Sequence, residues 1–156
     1  MEIVVENLEQ TKELAEKFAD LILEHGAFVC LFGDVGAGKT AFTRFVFKKL
    51  GVKEKITSPS FVILNEYHSG AIPCYHFDLY RLEKEGAQSM KEELREYSTG
   101  KILTMVEWAQ FSDVCNEFEK IDVNFAYLDE NKRKLEFSAN TNQNQNLLKE
   151  LFSCIS

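Results

Sequence analysis

Gly33-Asp34-Val35-Gly36-Ala37-Gly38-Lys39-Thr40 fits the phosphate-loop pattern G-x-x-x-x-G-K-[ST] at every specified position. The pattern commits a chain to one local architecture: a buried strand, a tight glycine-rich loop, and a helix whose N-terminus faces phosphate. Successive backbone N–H groups must curl around phosphate oxygens, and glycine permits the close approach and the positive φ that this needs. Lys39 supplies a point charge for the β- and γ-phosphates, and the Thr40 hydroxyl is placed to ligate Mg²⁺. With ordinary residue usage, a chance match in a chain this long is on the order of one in a few hundred.

The flanks agree with the motif. Ala27 to Phe32 is a continuous apolar run, the pattern of a strand covered on both faces. After Thr40, Phe42, Phe45, Val46 and Leu50 recur at helical spacing, so the helix begins where its free N–H groups and positive dipole end add to an anion site.

At 156 residues the chain is expected to form one α/β domain with a mixed parallel/antiparallel sheet flanked by helices. No apolar run approaches the ~20 residues of a membrane span, and the acidic start Met1-Glu2-Ile3 lacks a basic secretory leader. A cytoplasmic protein that contacts no membrane is the expectation. Cys30, Cys74, Cys115 and Cys154 are widely spread, which suggests buried thiols and neither a zinc site nor a redox motif. A net charge of −7 argues against nucleic-acid binding by the whole molecule. The Lys132-Arg133-Lys134 run reads as a solvated face.

Along the chain, Ile3–Glu6 reads as a strand, and Asn7 with Gln10 as a capping-box start to a helix ending near His25-Gly26. Thr57-Ser58-Pro59-Ser60 is a loop. Phe61–His68 and Ile72–Asp78 form a hairpin, and Leu79–Ser98 is mostly helical. Ile102–Trp108 is a strand, Ala109–Phe118 a short helix, Ile121–Asp129 and Lys134–Ala139 an antiparallel pair, and about 143–155 a C-terminal helix.

A phosphate loop needs an acidic partner for Mg²⁺ and a group to orient the attacking water. Asp78 and Glu107 both stand at the ends of apolar strands, where such groups belong. His76 reads as a satisfied structural histidine or as part of the dense His76-Phe77-Asp78-Leu79-Tyr80-Arg81 cluster, and Trp108 as core or as a cover for the nucleotide. A guanine-reading N-K-x-D is missing: Asn131-Lys132-Arg133-Lys134 ends in a residue that cannot accept from the base. Four arginines are too few for a phosphoryl-transfer clamp of the small-molecule kinase type.

The phosphate loop, then Thr57-Ser58-Pro59-Ser60-Phe61, His76-Phe77-Asp78-Leu79-Tyr80-Arg81 and Val106-Glu107-Trp108, in this order in so short a chain, resemble the TsaE (YjeE) family over about residues 1–140. These are small bacterial ATPases required for N6-threonylcarbamoyladenosine in tRNA. The resemblance implies ATP/ADP and Mg²⁺ as ligands, with phosphates on Lys39 and on the loop residues Gly33, Asp34, Val35, Gly36, Ala37 and Gly38. It implies Mg²⁺ on Thr40 and Glu107, and Asp78 acting on the metal or the attacking water. Thr57–Ser60 matches a switch-like loop, and Thr11, Trp108 and Arg133 match positions near the nucleotide. TsaD and TsaB are the implied partners, with tRNA reached only through their complex. Ala109-Gln110, and the segment Lys91–Tyr97, depart from the family pattern, and the C-terminal helix lies outside it. An ATP-sensing module whose turnover is incidental stays open beside the ATPase reading.

Overall fold

The computed structural model describes residues 1–59, 63–80, 90–109 and 113–155. These form a mixed seven-stranded sheet in the order β1-β7-β6-β2-β5-β4-β3. The strands are β1 (Glu2–Val5), β2 (Ala27–Phe32), β3 (Leu64–Tyr67), β4 (Cys74–Asp78), β5 (Leu103–Glu107), β6 (Ile121–Tyr127) and β7 (Arg133–Ala139). The central four, β6-β2-β5-β4, are parallel, and β3, β7 and β1 add antiparallel at the margins.

Alternation along the buried strands sorts the core into two layers. Val29 and Leu31 of β2, with Leu103 and Met105 of β5, pack under helices α1 (Leu8–Ile22), α2 (Lys39–Lys49) and α4 (Asn142–Ile155). Phe28, Cys30, Phe77 and Val106 face the other way, toward Leu94 of α3 (Lys91–Glu96) and Val114 and Cys115 of a 3₁₀ turn at Val114–Glu117. The first layer holds α2 in place. Phe42 of α2 lies 5.7 Å from Phe18 of α1, 5.6 Å from Phe125 and 6.3 Å from Phe137, ring centre to ring centre. Full burial of each such ring contributes about 1.5–3 kcal/mol, so the helix that carries the phosphate loop is anchored to both α1 and the sheet.

α1 starts at its cap Asn7 as the capping pattern predicts, but the reciprocal bond of Gln10 goes to the Glu6 amide instead of that of Asn7. The Asn7 side chain accepts from the Gln10 amide at 2.9 Å, and Gln10 returns a bond from the Glu6 amide at 2.8 Å. The helix ends at Ile22, short of the expected His25-Gly26, and the first strand is Glu2–Val5. The expected hairpin is present as β3 and β4.

Two helical expectations fall partly outside the described residues. Leu79–Ser98 yields α3 alone among the described residues, 81–89 lying outside them, and Ala109–Phe118 yields the 3₁₀ turn, with 110–112 outside. Cys30, Cys74 and Cys115 are buried as expected, whereas Cys154 is exposed on α4. The Lys132–Lys134 run is neutralised in place: Lys132 pairs with Glu6 at 3.1 Å and Lys134 with Glu2 at 2.7 Å, because β1 lies beside β7. No helix among the described residues is long and apolar enough to cross a membrane.

Candidate active site

β2 ends at Phe32, the loop turns through Gly33–Gly38, and α2 begins at Lys39. Gly33 has φ +138°, and a Cβ there would lie 2.6 Å from the Phe125 carbonyl oxygen of β6. Gly38 caps α2 at φ +110°. A side chain at either position would strain the backbone, and at Gly33 it would also drive the loop off the neighbouring strand.

The Lys39 ammonium is folded back into this loop. It donates to the Gly33 carbonyl and, at 3.0 Å, to that of Asp34, and the Trp108 ring covers it at 4.0 Å. Burial lowers the Lys39 pKa, opposed by the charges of Glu107, Asp34 and Asp78. The ammonium is thus held by groups a phosphate can replace.

The two carboxylates meet because of sheet register. Asp78 of β4 is paired with Glu107 of β5, so both side chains leave the same face at the same level. It is the face that carries α2. Glu107 is almost fully buried; its Oε1 accepts from the Thr40 hydroxyl at 2.9 Å, and its Oε2 lies 2.9 Å from Nε2 of His76, which is wholly buried. Burial, the largest influence, pushes the Glu107 pKa up. The hydrogen bonds from His76 and Thr40, with the charge of Lys39, outweigh it and leave the carboxyl below its ordinary value. Asp78 shifts oppositely. Burial raises it, against bonds from the Tyr80 amide at 2.9 Å and the Ser58 hydroxyl at 3.3 Å.

Thr40 Oγ1 and Glu107 Oε1 fit a magnesium ion. Adjacent corners of an octahedron with the bond lengths of Mg²⁺ stand about 2.9 Å apart, the spacing of these two oxygens. No group of three or more His, Cys, Asp or Glu gathers as a metal site among the described residues. Mg²⁺ asks for less from the protein, one or two ligands completed by phosphate oxygens and water.

A cleft of about 700 Å³ opens over these groups, within the range of small-molecule sites. Asp34, Val35, Gly36, Gly38, Lys39, Thr40, Asp78, Glu107 and Trp108 line it, and so do Thr11 and Arg133. Gly33 and Ala37, expected among the binding residues, do not line it; Gly33 is turned toward β6 and Ala37 is packed into the core. The Thr11 hydroxyl donates to the Asn7 carbonyl of its own helix at 3.4 Å. Arg133 lies 4.6 Å over the Tyr127 ring and donates to the Gly36 carbonyl at 3.2 Å, tying β7 to the tip of the loop.

In the expected switch-like loop, Ser58 reaches Asp78 and the Thr57 carbonyl accepts from the Asn65 side chain at 3.3 Å. Ser60, Phe61 and Arg81 lie outside the described residues. Ser58 of the expected switch-like loop lines the cleft, whereas the sequence did not single out Leu8, Tyr80, Glu130 and Asn131 as lining residues, and it left the His76–Glu107 contact unread.

Comparison with known proteins places this geometry. The family model for the threonylcarbamoyl adenosine biosynthesis protein TsaE matches residues 5–135. The chain belongs to the TsaE family. Among curated relatives, the tRNA threonylcarbamoyladenosine biosynthesis protein TsaE of Bacillus subtilis is 35% identical over 145 residues, 93% of this chain and 89% of that one. The TsaE of Aquifex aeolicus is 36% identical over 138 residues, 86% of this chain and 92% of its own length. The crystal structure of YdiB from Bacillus subtilis superposes with a TM-score of 0.78 at 27% identity, covering 100% of this chain and 96% of that one. The TsaE-family match thus takes in the phosphate loop, both carboxylates and Arg133, while α4 lies beyond the matched residues.

Proposed function

We propose that this protein is a Mg²⁺-dependent ATPase that supports formation of N6-threonylcarbamoyladenosine in tRNA, working with TsaD and TsaB in the cytoplasm. The observation that carries the reading is the convergence of Lys39, Thr40, Asp78 and Glu107 on one cleft beneath a phosphate loop, in a chain of the TsaE family. The relatives' shared name supports the tRNA role.

Lys39 and the amides of the loop and first helical turn would hold the phosphates, with α2 directing its positive end at them. Thr40 and Glu107 would hold Mg²⁺, which would supply charge neutralisation for the phosphates. Asp78 stands beside them with one oxygen on the Tyr80 amide and the other on Ser58. Release of Ser58 frees that oxygen to accept a proton from water, orienting it toward the γ-phosphorus as the bond to the β-phosphate oxygen breaks. ADP and inorganic phosphate leave. In this reading Trp108 and Arg133 border the nucleotide, and tRNA is handled by the TsaD–TsaB complex.

The test is a reconstituted reaction with tRNA, threonine, bicarbonate, ATP, the threonylcarbamoyl-adenylate synthase and a TsaB–TsaD pair, following phosphate release and modified adenosine together. Weak ATPase activity alone, stimulated by the pair, is expected, because much of the transition-state stabilisation in this class depends on groups that a partner positions. Asp78→Ala should bind ATP yet support neither turnover nor modification. Modification by Asp78→Ala at the wild-type rate would replace the ATPase reading with that of an ATP-sensing module.

A further inference from the structure

Among the described residues, His76 is the one buried polar side chain of the site left with an unpartnered atom. It is wholly buried on β4, two residues before Asp78, and so shares a sheet face with both carboxylates. Its Nε2 meets Glu107 Oε2 at 2.9 Å, while Nδ1 has no hydrogen-bond partner among the described residues. The flank of the ring packs edge-on against Phe47 of α2 at 6.0 Å.

A polar ring buried with one nitrogen unmatched is a poor way to fill a core, since an apolar residue would fill it without that cost. The benefit lies at the other nitrogen. With Nδ1 unpaired, the ring proton belongs on Nε2, where it is donated to Glu107. That bond fixes one carboxylate oxygen from below and leaves Oε1 turned up toward Thr40. Among the described residues no ion pair joins Glu107 to Lys39, although both line the same cleft.

Resting on the magnesium reading above, we propose that His76 is a positioning residue: its Nε2–H holds Glu107 so that Oε1, beside the Thr40 hydroxyl, is presented to the divalent cation of a metal–nucleotide complex. It touches neither metal nor nucleotide. Its loss therefore weakens the cation and leaves the phosphate loop's own hold on nucleotide in place.

The experiment measures Mn²⁺ affinity by electron paramagnetic resonance in the presence of ADP, and ADP affinity in EDTA, for the whole chain and three variants. His76→Phe keeps the ring and removes the donor, His76→Gln puts an N–H where Nε2 stands, and His76→Asn puts one where Nδ1 stands. His76→Phe and His76→Asn should lose about 10–100-fold in Mn²⁺ affinity, as loss of an outer-shell partner does. ADP affinity in EDTA should stay unchanged, and His76→Gln should recover most of the loss. If His76→Phe does not fold, as judged by circular dichroism, the comparison of Gln with Asn decides. Equal Mn²⁺ affinity in Gln and Asn, or an equal loss of ADP affinity with and without metal, overturns the proposal while the magnesium reading stands. Failure of the unmodified protein to bind Mn²⁺ with ADP overturns both.

Discussion

Trp108 has φ +60°, the only positive value at a non-glycine among the described residues. The chain turns left-handed directly after β5, which swings the indole over the Lys39 ammonium at 4.0 Å and against the Tyr80 ring at 5.1 Å. For an L-residue this backbone conformation costs about 1–2 kcal/mol. The contacts that offset it are worth about 0.5–1 kcal/mol for the ammonium and about 0.5–1.5 kcal/mol for the ring pair. Trp108→Ala and Trp108→Gly delete the same contacts but differ in the backbone. Glycine relieves the left-handed cost and gives back about 0.4–1 kcal/mol through the freer unfolded chain. The glycine variant should therefore be the more stable of the two by roughly 1 kcal/mol, the reverse of the usual order. At this chain length that is about 2–4 °C in melting temperature. Urea titrations of both variants, with matching slopes, measure the difference. An alanine variant as stable as the glycine variant, or more so, would refute the balance between strain and contact set out here.

Two further outcomes follow from the geometry. Lys39→Ala should weaken ATP binding about tenfold or more in EDTA as well as in Mg²⁺, since charged hydrogen bonds are lost in both; Glu107→Ala should chiefly remove the Mg²⁺-dependent part, and calorimetry under the two conditions separates them. Asp78 holds its proton to higher pH folded than unfolded, where its ordinary value is 3.8. Its favourable contribution is therefore present below that value and is lost as pH rises through the folded one. Relative to the wild type, Asp78→Asn should gain stability from pH 4 to pH 7, measured by denaturant unfolding in EDTA. A gap that stays flat or shrinks with pH contradicts the burial argument.

The phosphate loop, its strand and its helix were legible because their chemistry is contiguous, and Asp78 and Glu107 because each ends an apolar run. Their meeting was not legible, since it depends on which strands lie side by side and in what register. The same blindness hid the partner of His76, which is 31 positions away on another strand. The spacing of His76 to Asp78 was the available signal, for it puts both on one face of any strand they share. β1 read as a strand, but its seat beside β7 is a long-range choice that also pairs Glu2 and Glu6 with two of the lysines taken as a solvated face. At Trp108 nothing local announced a left-handed turn, because contacts made by the side chain settle the backbone against its own preference. The 3₁₀ turn at Val114–Glu117, inside the segment expected to be a short helix, has a similar cause. Val114, Cys115 and Phe118 are claimed by the layer beneath the sheet, and a 3₁₀ turn delivers them there.

The pairing of Asp78 with Glu107 gives the site a parity rule. Side chains alternate faces along β4 and β5, so losing one residue within either strand ahead of its carboxylate moves that carboxylate from the α2 side to the α3 side. Losing two restores the face and only lowers the carboxylate by one rung. Changes of length within a strand are thus counted in odd and even steps, whereas those in the connection between β4 and β5 are not, because the ladder is rebuilt in phase on the far side. A chain of this design can drift in length between the two strands while its two acids keep facing the same helix.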